Sequence, residues 1–351
     1  MSHVPFRMER LMDRLYATDE ILDFVGRGTY ASVFKGVSLV DGDKVSKGSP
    51  VALKVFEKRG LSLDRMCQDI VREVEILRHL NHPNCLQFID CFQTEYHIVI
   101  VTNFVDGKEL YKTLRDGIMT EAQVRSVARQ LLEVVNYLHS QVRVVHRDIK
   151  PENVLVTSTE DGGFHLTLVD FGLARTLSKG RRCVGDRLLG GNVWQLSPAP
   201  SAAPADSLES SYTDSPLIAT PCGTINYAAP ETVRSLVQSG HLATTAELMP
   251  RMDMFAVGTI LYVMFCRKLP FQNRGNKVQL VKVMEVGPLF EEPEWRNVPP
   301  EAVDIIRLLL SFDPGQRPKA SDVLQSAWFL KKNESGGVAD FLPMTSQCEE
   351  G

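Results

Sequence analysis

The sequence predicts an α+β protein in which a small β-rich lobe precedes a larger, mainly helical lobe. Between residue 21 and about residue 105, short runs of branched and aromatic residues alternate with turn residues, and this pattern indicates strands. From Thr120 onward, apolar residues recur every three or four positions, which is typical of half-buried helices. The chain has 351 residues, a length that is ample for an extensive hydrophobic core.

The composition is that of an ordinary soluble protein, with 44% hydrophobic and 23% charged residues. The net charge of -4 gives no electrostatic reason to expect a nucleic-acid partner. The most apolar run, 252–265, is too short to span a bilayer, and the first residues lack the apolar core of a leader peptide, so we expect no membrane partner. The seven cysteines show no CxxC spacing, which indicates reduced thiols and a cytoplasmic or nuclear location.

The β-rich lobe is predicted from five strand-forming runs and one helix. Asp-Gly and Lys-Gly pairs between residues 37 and 50 indicate a hairpin that joins the second run to the third. The runs are 22–25, 32–36, 51–56, 86–92 and 98–103, and the helix is 63–80. A stretch rich in Pro, Ser and Ala, about 178–216, breaks the globular pattern, and we expect it to be a mobile insert.

The start of the helical lobe is marked by a capping signal. Thr120 and Gln123 have the spacing of a capping box, in which two side chains satisfy two backbone N–H groups. The positions expected to face the core are Val124, Val127, Leu131, Leu132, Val135 and Leu138.

One lysine lies in the middle of an apolar strand pattern. Val51, Leu53 and Val55 share one predicted face, and Lys54 lies on the other face with Ala52. A lysine in such surroundings needs a counter-charge, unless it is an edge lysine whose ammonium group reaches solvent.

Glu73 is the expected counter-charge. With about 100° per residue on an ideal helix, Glu73 falls within the apolar arc, whereas Glu75 points the opposite way. The arc is formed by Ile70, Val74, Ile76, Leu77 and Leu80. A carboxylate on a buried face should be paired, so the sequence predicts a Lys54–Glu73 ion pair. The alternative is that Glu73 lies at a solvated margin of the helix.

Two carboxylates, a lysine and a carboxamide occur close together between apolar runs. They are Asp148, Lys150, Asn153 and Asp170. One carboxylate can orient a hydroxyl nucleophile, and the other, with the asparagine, can hold a divalent metal ion. Upstream, Gly26 and Gly28 lie between two strand runs, where backbone amides can approach phosphate oxygens without an intervening Cβ. These groups are suited to moving a phosphoryl group from a nucleotide onto a protein.

In order and spacing, these motifs resemble those of eukaryotic protein kinases of the serine/threonine type. They are the Gly-rich turn 26–33, the lysine strand 51–56, the segment 145–153 and the Asp-Phe-Gly motif 170–172. The resemblance covers 22–330 and implies the two-lobed protein kinase fold. The implied division is an N-terminal extension 1–20 and a kinase domain 21–330, with N-lobe 21–103, hinge 103–107 and C-lobe 108–330, followed by a polar tail 331–351.

The resemblance also implies roles, with ATP and Mg²⁺ as the expected cofactors. Asp148 is expected to accept the proton of the substrate hydroxyl, and Lys150 to steady the γ-phosphate. Asn153 and Asp170 are expected to bind Mg²⁺. The implied nucleotide-binding residues are Gly26, Arg27, Gly28, Thr29, Val33, Ala52, Lys54, Thr102 and Leu155.

Other matching positions have structural roles in such kinases. Glu231 is expected to pair with Arg317, and Asp253 to hold the backbone of the His-Arg-Asp motif. An apolar column that marks the active state is expected from Leu77, Phe88, His146 and Phe171.

Within this family, the segments 72–84 and 294–298 look like those of calcium/calmodulin-dependent and calcium-dependent kinases. The chain departs from that group because it has no EF-hand loop and no basic amphipathic helix after Leu330. We therefore expect no calmodulin site. The activation segment, 170–231, has about sixty residues, far more than usual loop lengths.

The expected partners are protein substrates with Ser or Thr acceptors and an upstream activating kinase. Thr220 occupies the position of an activation-loop phosphosite, and Arg147 is the expected partner of its phosphate. The alternative is that Thr220 is an ordinary loop hydroxyl.

Three more positions resemble residues that line the protein-substrate site. Glu109 and Glu152 match acidic positions that contact a basic residue upstream of the target hydroxyl, although both could also be solvated carboxylates. Thr224 is expected to bond the catalytic side chains Asp148 and Lys150.

Two other classes of protein stay open on sequence alone. A pseudokinase scaffold would bind nucleotide or partners without efficient catalysis, although every polar group that the chemistry needs is present. A small-molecule kinase of related fold is the other, although the segments 228–231 and 313–318 resemble a protein-substrate platform.

Overall fold

The computed structural model describes most of the two predicted lobes. The described residues are 16–17, 23–28, 31–58, 63–94, 96–177, 224–238, 247–272, 276–291 and 293–331. The predictions for Thr29, Thr220, the insert 178–216 and the tail beyond Lys331 lie outside these residues, as does the side chain of Thr224.

The N-terminal lobe is built on an antiparallel sheet. Its strands are β1 (Tyr16–Ala17), β2 (Phe24–Arg27), β3 (Ala31–Ser38), β4 (Pro50–Glu57), β5 (Phe88–Gln93) and β6 (His97–Asn103). The order is β1-β3-β4-β6-β5, and β2 also pairs with β3. The register between β3 and β4 runs from Ala31 opposite Phe56 to Val37 opposite Pro50, which confirms the predicted hairpin.

The two faces of β4 differ as the alternation predicts. Val51, Leu53 and Val55 are buried in a small cluster on one face of the sheet. Phe56 belongs to the large core on the other face, and the Lys54 Nζ atom lies 5.5 Å from the centroid of its ring. The lysine therefore faces the interior between the lobes and not the outer surface of the sheet.

The sheet begins earlier than the predicted kinase domain, because Tyr16 and Ala17 pair with Ser38 and Val37. The Tyr16 ring is buried and stacks on Phe92 with centroids 6.0 Å apart, and its hydroxyl donates to Asp90 Oδ2 at 3.4 Å. Burial and the neighbouring Asp90 charge raise the pKa of Tyr16 to about 12. A residue assigned to the N-terminal extension is thus packed into the lobe.

The helix of this lobe, α1 (Leu63–His79), ends one residue before the predicted position. Ile70, Val74 and Leu77 are buried, and α1 packs against β5. Glu73 is only 4% exposed, so the predicted arc is confirmed and the solvated alternative is wrong.

The C-terminal lobe is mainly helical. Its helices are α2 (Leu110–Asp116), α3 (Glu121–Tyr137), α4 (Pro230–Gln238), α5 (Pro250–Cys266), α6 (Lys277–Val286), α7 (Pro300–Leu309), α8 (Ala320–Leu324) and α9 (Ala327–Leu330). Its short strands are β7 (Lys108–Glu109), β8 (Val144–Val145), β9 (Val154–Ser158), β10 (Phe164–Leu168) and β11 (Arg175–Thr176). At the start of α3, Gln123 N donates to Thr120 Oγ1 at 3.3 Å and Thr120 N donates to Gln123 Oε1 at 3.0 Å, so the predicted capping box is confirmed.

Helix α5 lies at the centre of this lobe and is buried along most of its length. Beside it, the Arg317 guanidinium donates to both Glu231 oxygens, at 2.7 and 2.8 Å, and to the carbonyl oxygens of Ser311, Phe312 and Arg251. The predicted Glu231–Arg317 pair is thus present, and its buried charge is satisfied. In the described part of the chain, no helix has both the length and the apolar character needed to cross a membrane.

Replacing Tyr16 by alanine should lower the free energy of unfolding by about 3 kcal/mol, because a buried ring is removed and a cavity remains. Tyr16→Phe keeps the ring and should cost about 1 kcal/mol or less, since only a long hydrogen bond is lost. Tyr111→Ala, at a ring that is 50% exposed, is the control. If urea unfolding gave equal losses for Tyr16→Ala and Tyr111→Ala, β1 would not be part of the stable fold.

Candidate active site

The predicted lysine is held between two carboxylates from different parts of the chain. Lys54 Nζ on β4 lies 2.6 Å from Glu73 Oε1 on α1 and 2.8 Å from Asp170 Oδ1, which follows β10. The structure therefore contains the predicted Lys54–Glu73 ion pair, and the edge-lysine alternative is wrong. It also brings Asp170 to the same ammonium group, a contact that sequence reasoning did not foresee.

The charges in this trio stabilise one another unequally. Burial alone would lower the pKa of Lys54, but the charges of Asp170 and Glu73 outweigh burial and raise it, so the lysine stays charged. Lys54 holds the pKa of Asp170 well below the usual range. Burial raises the pKa of Glu73 more than Lys54 lowers it, because the Glu73 carboxylate is almost wholly removed from water.

The predicted catalytic loop, 145–153, presents one carboxylate with a free oxygen. Asp148 Oδ2 accepts from Lys150 Nζ at 2.7 Å and from Asn153 Nδ2 at 2.9 Å, and Asn153 Nδ2 also donates to the Asp148 carbonyl at 2.9 Å. The other oxygen, Oδ1, is buried and has no hydrogen-bond partner among the described residues. Burial raises the pKa of Asp148, and Lys150 opposes that rise.

A buried carboxylate at the start of α5, that of Asp253, holds the backbone of this loop. Asp253 Oδ2 accepts from His146 N, and Asp253 Oδ1 accepts from Arg147 N, each at 2.8 Å. These are the contacts predicted for Asp253. His139, in the π-helical turn Leu138–Val142 that follows α3, also contacts this carboxylate. Its Nε2 atom lies 2.8 Å from Asp253 Oδ2. Burial alone would raise the pKa of Asp253, but the bonds from His139 and Arg147 keep it below the usual range.

The four residues of the expected apolar column are all buried. Leu77, Phe88 and Phe171 belong to one hydrophobic core that extends across both lobes. His146 is also fully buried, and its ring meets the Phe171 ring edge-on at 4.8 Å between centroids. Phe171 therefore packs inward, next to the carboxylate of Asp170.

The predicted nucleotide-binding residues that are described lie on strands of both lobes or at their ends. Val33 is opposite Lys54 and Gly26 in the sheet, and Thr102 is opposite Ala52. The remaining ones are Arg27 and Gly28 at the end of β2, and Leu155 on β9 of the other lobe. A Cβ atom at Gly26 would meet no atom within 4 Å, so packing within the described chain does not explain this glycine. Open space beside the Gly26 backbone suits the approach of a ligand.

The acidic candidates for substrate binding are on neighbouring segments. Glu109 precedes α2 and pairs with Lys112 at 2.8 Å, and Glu152 is exposed in the 3-10 turn Pro151–Asn153. Helix α2 packs against that turn. Thr224 begins the 3-10 turn Thr224–Tyr227. Its predicted bond to the catalytic loop stays a prediction, because the side chain of Thr224 is not among those that the structure describes.

The donor set fits a magnesium ion that also binds phosphate oxygens. Asp170 offers a partly exposed carboxylate, and the amide nitrogen of Asn153 is engaged by Asp148, which leaves its carbonyl oxygen for a ligand. Mg²⁺ in nucleotide sites takes one or two such protein oxygens and completes its shell with phosphates and water. Among the described residues, no cluster of three or more His, Cys, Asp or Glu could hold a metal ion.

The sequence of this chain is similar to that of known protein kinases. Residues 20–329 match the family model described as the protein kinase domain. A probable myosin light chain kinase of Dictyostelium discoideum is 30% identical over 335 residues, which cover 93% of this chain and 80% of that protein. Calcium/calmodulin-dependent protein kinase cmkA of Emericella nidulans is 32% identical over 322 residues, and CDPK-related kinase 5 of Arabidopsis thaliana is 32% identical over 330 residues.

The chain therefore belongs to the protein kinase family, and its type is that of the protein serine/threonine kinases, as the motifs predict. The match covers 91% and 92% of this chain for the Emericella and Arabidopsis relatives, but only 63% and 46% of their own lengths. The chain thus spans less than two thirds of these two relatives, although it spans more of the Dictyostelium protein.

Asp253→Asn should destabilise the protein by about 2–3 kcal/mol, because an amide has one acceptor oxygen where two backbone N–H groups need one each. The amide NH₂ group would face a backbone N–H. Asp313→Asn is the matched control, since Asp313 Oδ1 accepts from Gly315 N at 2.8 Å at the surface. Urea unfolding measures the free energy of unfolding of both variants. Equal losses of stability would contradict the prediction that the buried Asp253 bonds contribute more than the exposed Asp313 bond.

Proposed function

We propose that this protein uses Mg²⁺ and ATP to phosphorylate serine and threonine residues of protein substrates. One observation carries the proposal. Asp148 Oδ1 is buried and has no hydrogen-bond partner in the part of the chain that the structure describes, while Oδ2 of the same carboxylate is fixed by Lys150 and Asn153. A buried acceptor without a partner is unfavourable unless a ligand supplies the donor. A hydroxyl group of an incoming serine or threonine is such a donor.

Asp148 would orient this hydroxyl and accept its proton through Oδ1. Burial raises the pKa of Asp148, which makes the carboxylate a better proton acceptor, while Lys150 favours its charged form. The Lys150 ammonium group, 2.7 Å from Asp148 Oδ2, would then stabilise negative charge on the transferred group.

Lys54 would bind the α- and β-phosphates of the nucleotide. Its raised pKa keeps it cationic at neutral pH, and Glu73 fixes its position. A bound Mg²⁺ ion, with Asp170 and Asn153 as its protein ligands, would neutralise charge on the phosphate oxygens. The Gly26–Gly28 turn would cover the phosphates, with Val33, Ala52 and Leu155 against the adenine. Thr29 of the same turn is proposed from sequence alone.

The two other candidate classes receive less support. The relatives are protein serine/threonine kinases, and every side chain that the transfer needs is oriented in the site, so a pseudokinase scaffold is not supported. The buried Glu231–Arg317 pair fixes the segment 228–231, which in protein kinases forms the platform for a protein substrate. A small-molecule kinase has no need of this element.

Substrate choice and regulation are proposals that follow from the same site. Glu109 and Glu152 would bind a basic residue upstream of the target hydroxyl, since both are acidic and lie on segments that pack together. Phosphorylation of Thr220 by an upstream kinase would place its phosphate near Arg147, and Thr224 would bond the catalytic loop. A calmodulin site is not part of the proposal.

We also propose a cytoplasmic or nuclear location. Cys85, Cys91 and Cys266 are buried free thiols, which suits a reducing compartment. Burial raises the pKa of Cys85 and of Cys91 to about 12, so neither is a reactive thiolate.

Asp148→Asn should lower phosphoryl transfer to a Ser/Thr peptide library about 100-fold or more, because the proton acceptor is lost. The measurement is label transfer from γ-labelled ATP with Mg²⁺, at matched protein concentration. Asp304→Asn, on the exposed surface of α7, is the control and should retain full activity. Equal transfer by wild type and Asp148→Asn would contradict the proposed role.

The pH dependence should show the raised pKa of Asp148. A carboxyl group with a raised pKa stays protonated to higher pH, and protonated Asp148 cannot accept a proton. Activity should therefore be complete above this pKa and fall as the pH drops through it, above the ordinary value of about 3.9. The measurement is kcat/KM against pH, with circular dichroism to confirm folding. An acid limb at or below the ordinary value would contradict this prediction, as would the same limb in Asp148→Asn.

A further inference from the structure

Besides the Glu73–Lys54 pair within the N-terminal lobe, α1 has a charge contact with the C-terminal lobe. Asp69 Oδ1 on α1 lies 3.3 Å from Arg175 Nη2 on β11. The same oxygen lies 2.5 Å from Arg72 Nη1 within α1. Asp69 is four residues before Glu73, so the two carboxylates lie one helical turn apart on α1.

Arg175 is a firm attachment point because its backbone is fixed to the catalytic loop. Strand β11 pairs with β8, with Arg175 opposite Val145, and Leu177 N donates to the Arg143 carbonyl at 2.7 Å. Strand β8 leads directly into the segment that carries Asp148. Arg175 Nη1 donates to the Ala174 carbonyl at 2.9 Å, which orients the guanidinium group toward α1.

The other end of α1 is attached separately. The Tyr137 hydroxyl of α3 accepts from Asn81 N at 2.8 Å and donates to the His79 carbonyl at 3.3 Å. Glu73 therefore lies between two attachments of α1 to the C-terminal lobe, one at each side. Without the Asp69 contact, α1 could pivot about its C-terminal end, which Tyr137 of α3 holds. Such a pivot would carry Glu73 away from Lys54.

We infer that Asp69 is a positioning residue for phosphoryl transfer, because its contact with Arg175 holds α1 where Glu73 reaches Lys54. The inference rests on the proposed function. It also concerns regulation, since the anion that Arg175 binds is a carboxylate of the chain itself. This attachment of α1 therefore needs no added phosphate group.

The kinetic test is a double-mutant cycle on phosphatase-treated enzyme. Asp69→Asn and Arg175→Gln should each lower kcat about two- to fivefold, as expected for a partly exposed ion pair. The double variant should be no slower than the slower single variant, because both changes remove the same contact. KM for the peptide substrate should stay the same. Losses that multiply in the double variant would overturn the inference.

A matched variant separates the cross-lobe contact from the contact within the helix. Arg72→Gln removes the Asp69–Arg72 pair and leaves the Asp69–Arg175 pair, so kcat should stay close to that of the wild type. Asp69→Glu keeps the charge and should recover most of the loss seen in Asp69→Asn. A loss in Arg72→Gln as large as that in Asp69→Asn would show that helix stability, and not positioning, is at stake.

Amide hydrogen exchange gives a readout that does not need activity. Exchange of the α1 amides should be faster in Asp69→Asn and Arg175→Gln than in wild type, and unchanged in Arg72→Gln. Unchanged exchange in Asp69→Asn would overturn the inference even if the enzyme is active. Lack of transfer by the wild type would count against the proposed function, while the exchange data would still decide the role of Asp69.

Discussion

The Lys54 ammonium group bonds two carboxylates at once, and the placement of three separate elements depends on this contact. Strand β4 supplies the lysine, α1 supplies Glu73, and the segment after β10 supplies Asp170. Buried charges are favourable only when their partners are correctly placed, and the loss of one partner leaves a costly unpaired charge. The sheet, the helix and the segment that carries Asp170 must therefore be in place together, which makes the site cooperative.

Apolar packing beneath the trio enforces the same arrangement. Phe171 is buried in the core that also contains Leu77 and Phe88, and it is the next residue after Asp170. Because the two residues are adjacent, burial of the ring and the direction of the carboxylate are coupled. A rearrangement that moved Phe171 out of the core would also take Asp170 from Lys54. The apolar column and the charged trio are thus two aspects of one conformation.

The features that could be predicted from sequence follow from short-range rules. The faces of β4, the buried arc of α1 and the capping box at Thr120 all depend on residues a few positions apart, where periodicity is informative. The position of Asp253 beneath the catalytic loop came from the family resemblance and not from periodicity. The Lys54–Glu73 pair needed one further step, the requirement that a buried charge be paired.

The contacts that sequence reasoning missed join residues far apart in the chain. His139 and Asp253 are separated by 114 positions, and Asp69 and Arg175 by 106. Tyr16 and Asp90 are separated by 74 positions. Apart from Asp253, the residues in these pairs have no unusual neighbourhood in the sequence, so nothing in the local pattern marks the contacts. An aspartate on an exposed helical turn is indistinguishable from an ordinary surface residue until the fold brings an arginine beside it.

Among the residues that the structure describes, each non-glycine residue with a positive φ angle has a reason for it. Arg143 and Arg267 have positive φ angles where helical turns end, which is ordinary at a helix C-terminus. Arg147 and Asp170 have φ angles of 69° and 60°, at a cost of about 1–2 kcal/mol each. The cost at Arg147 is offset by the hydrogen bond from Arg147 N to Asp253, and the cost at Asp170 is offset by its bond from Lys54. The strained backbone at Arg147 and at Asp170 is therefore stabilised by charged side chains, and one of these, Asp253, is itself kept ionised by His139.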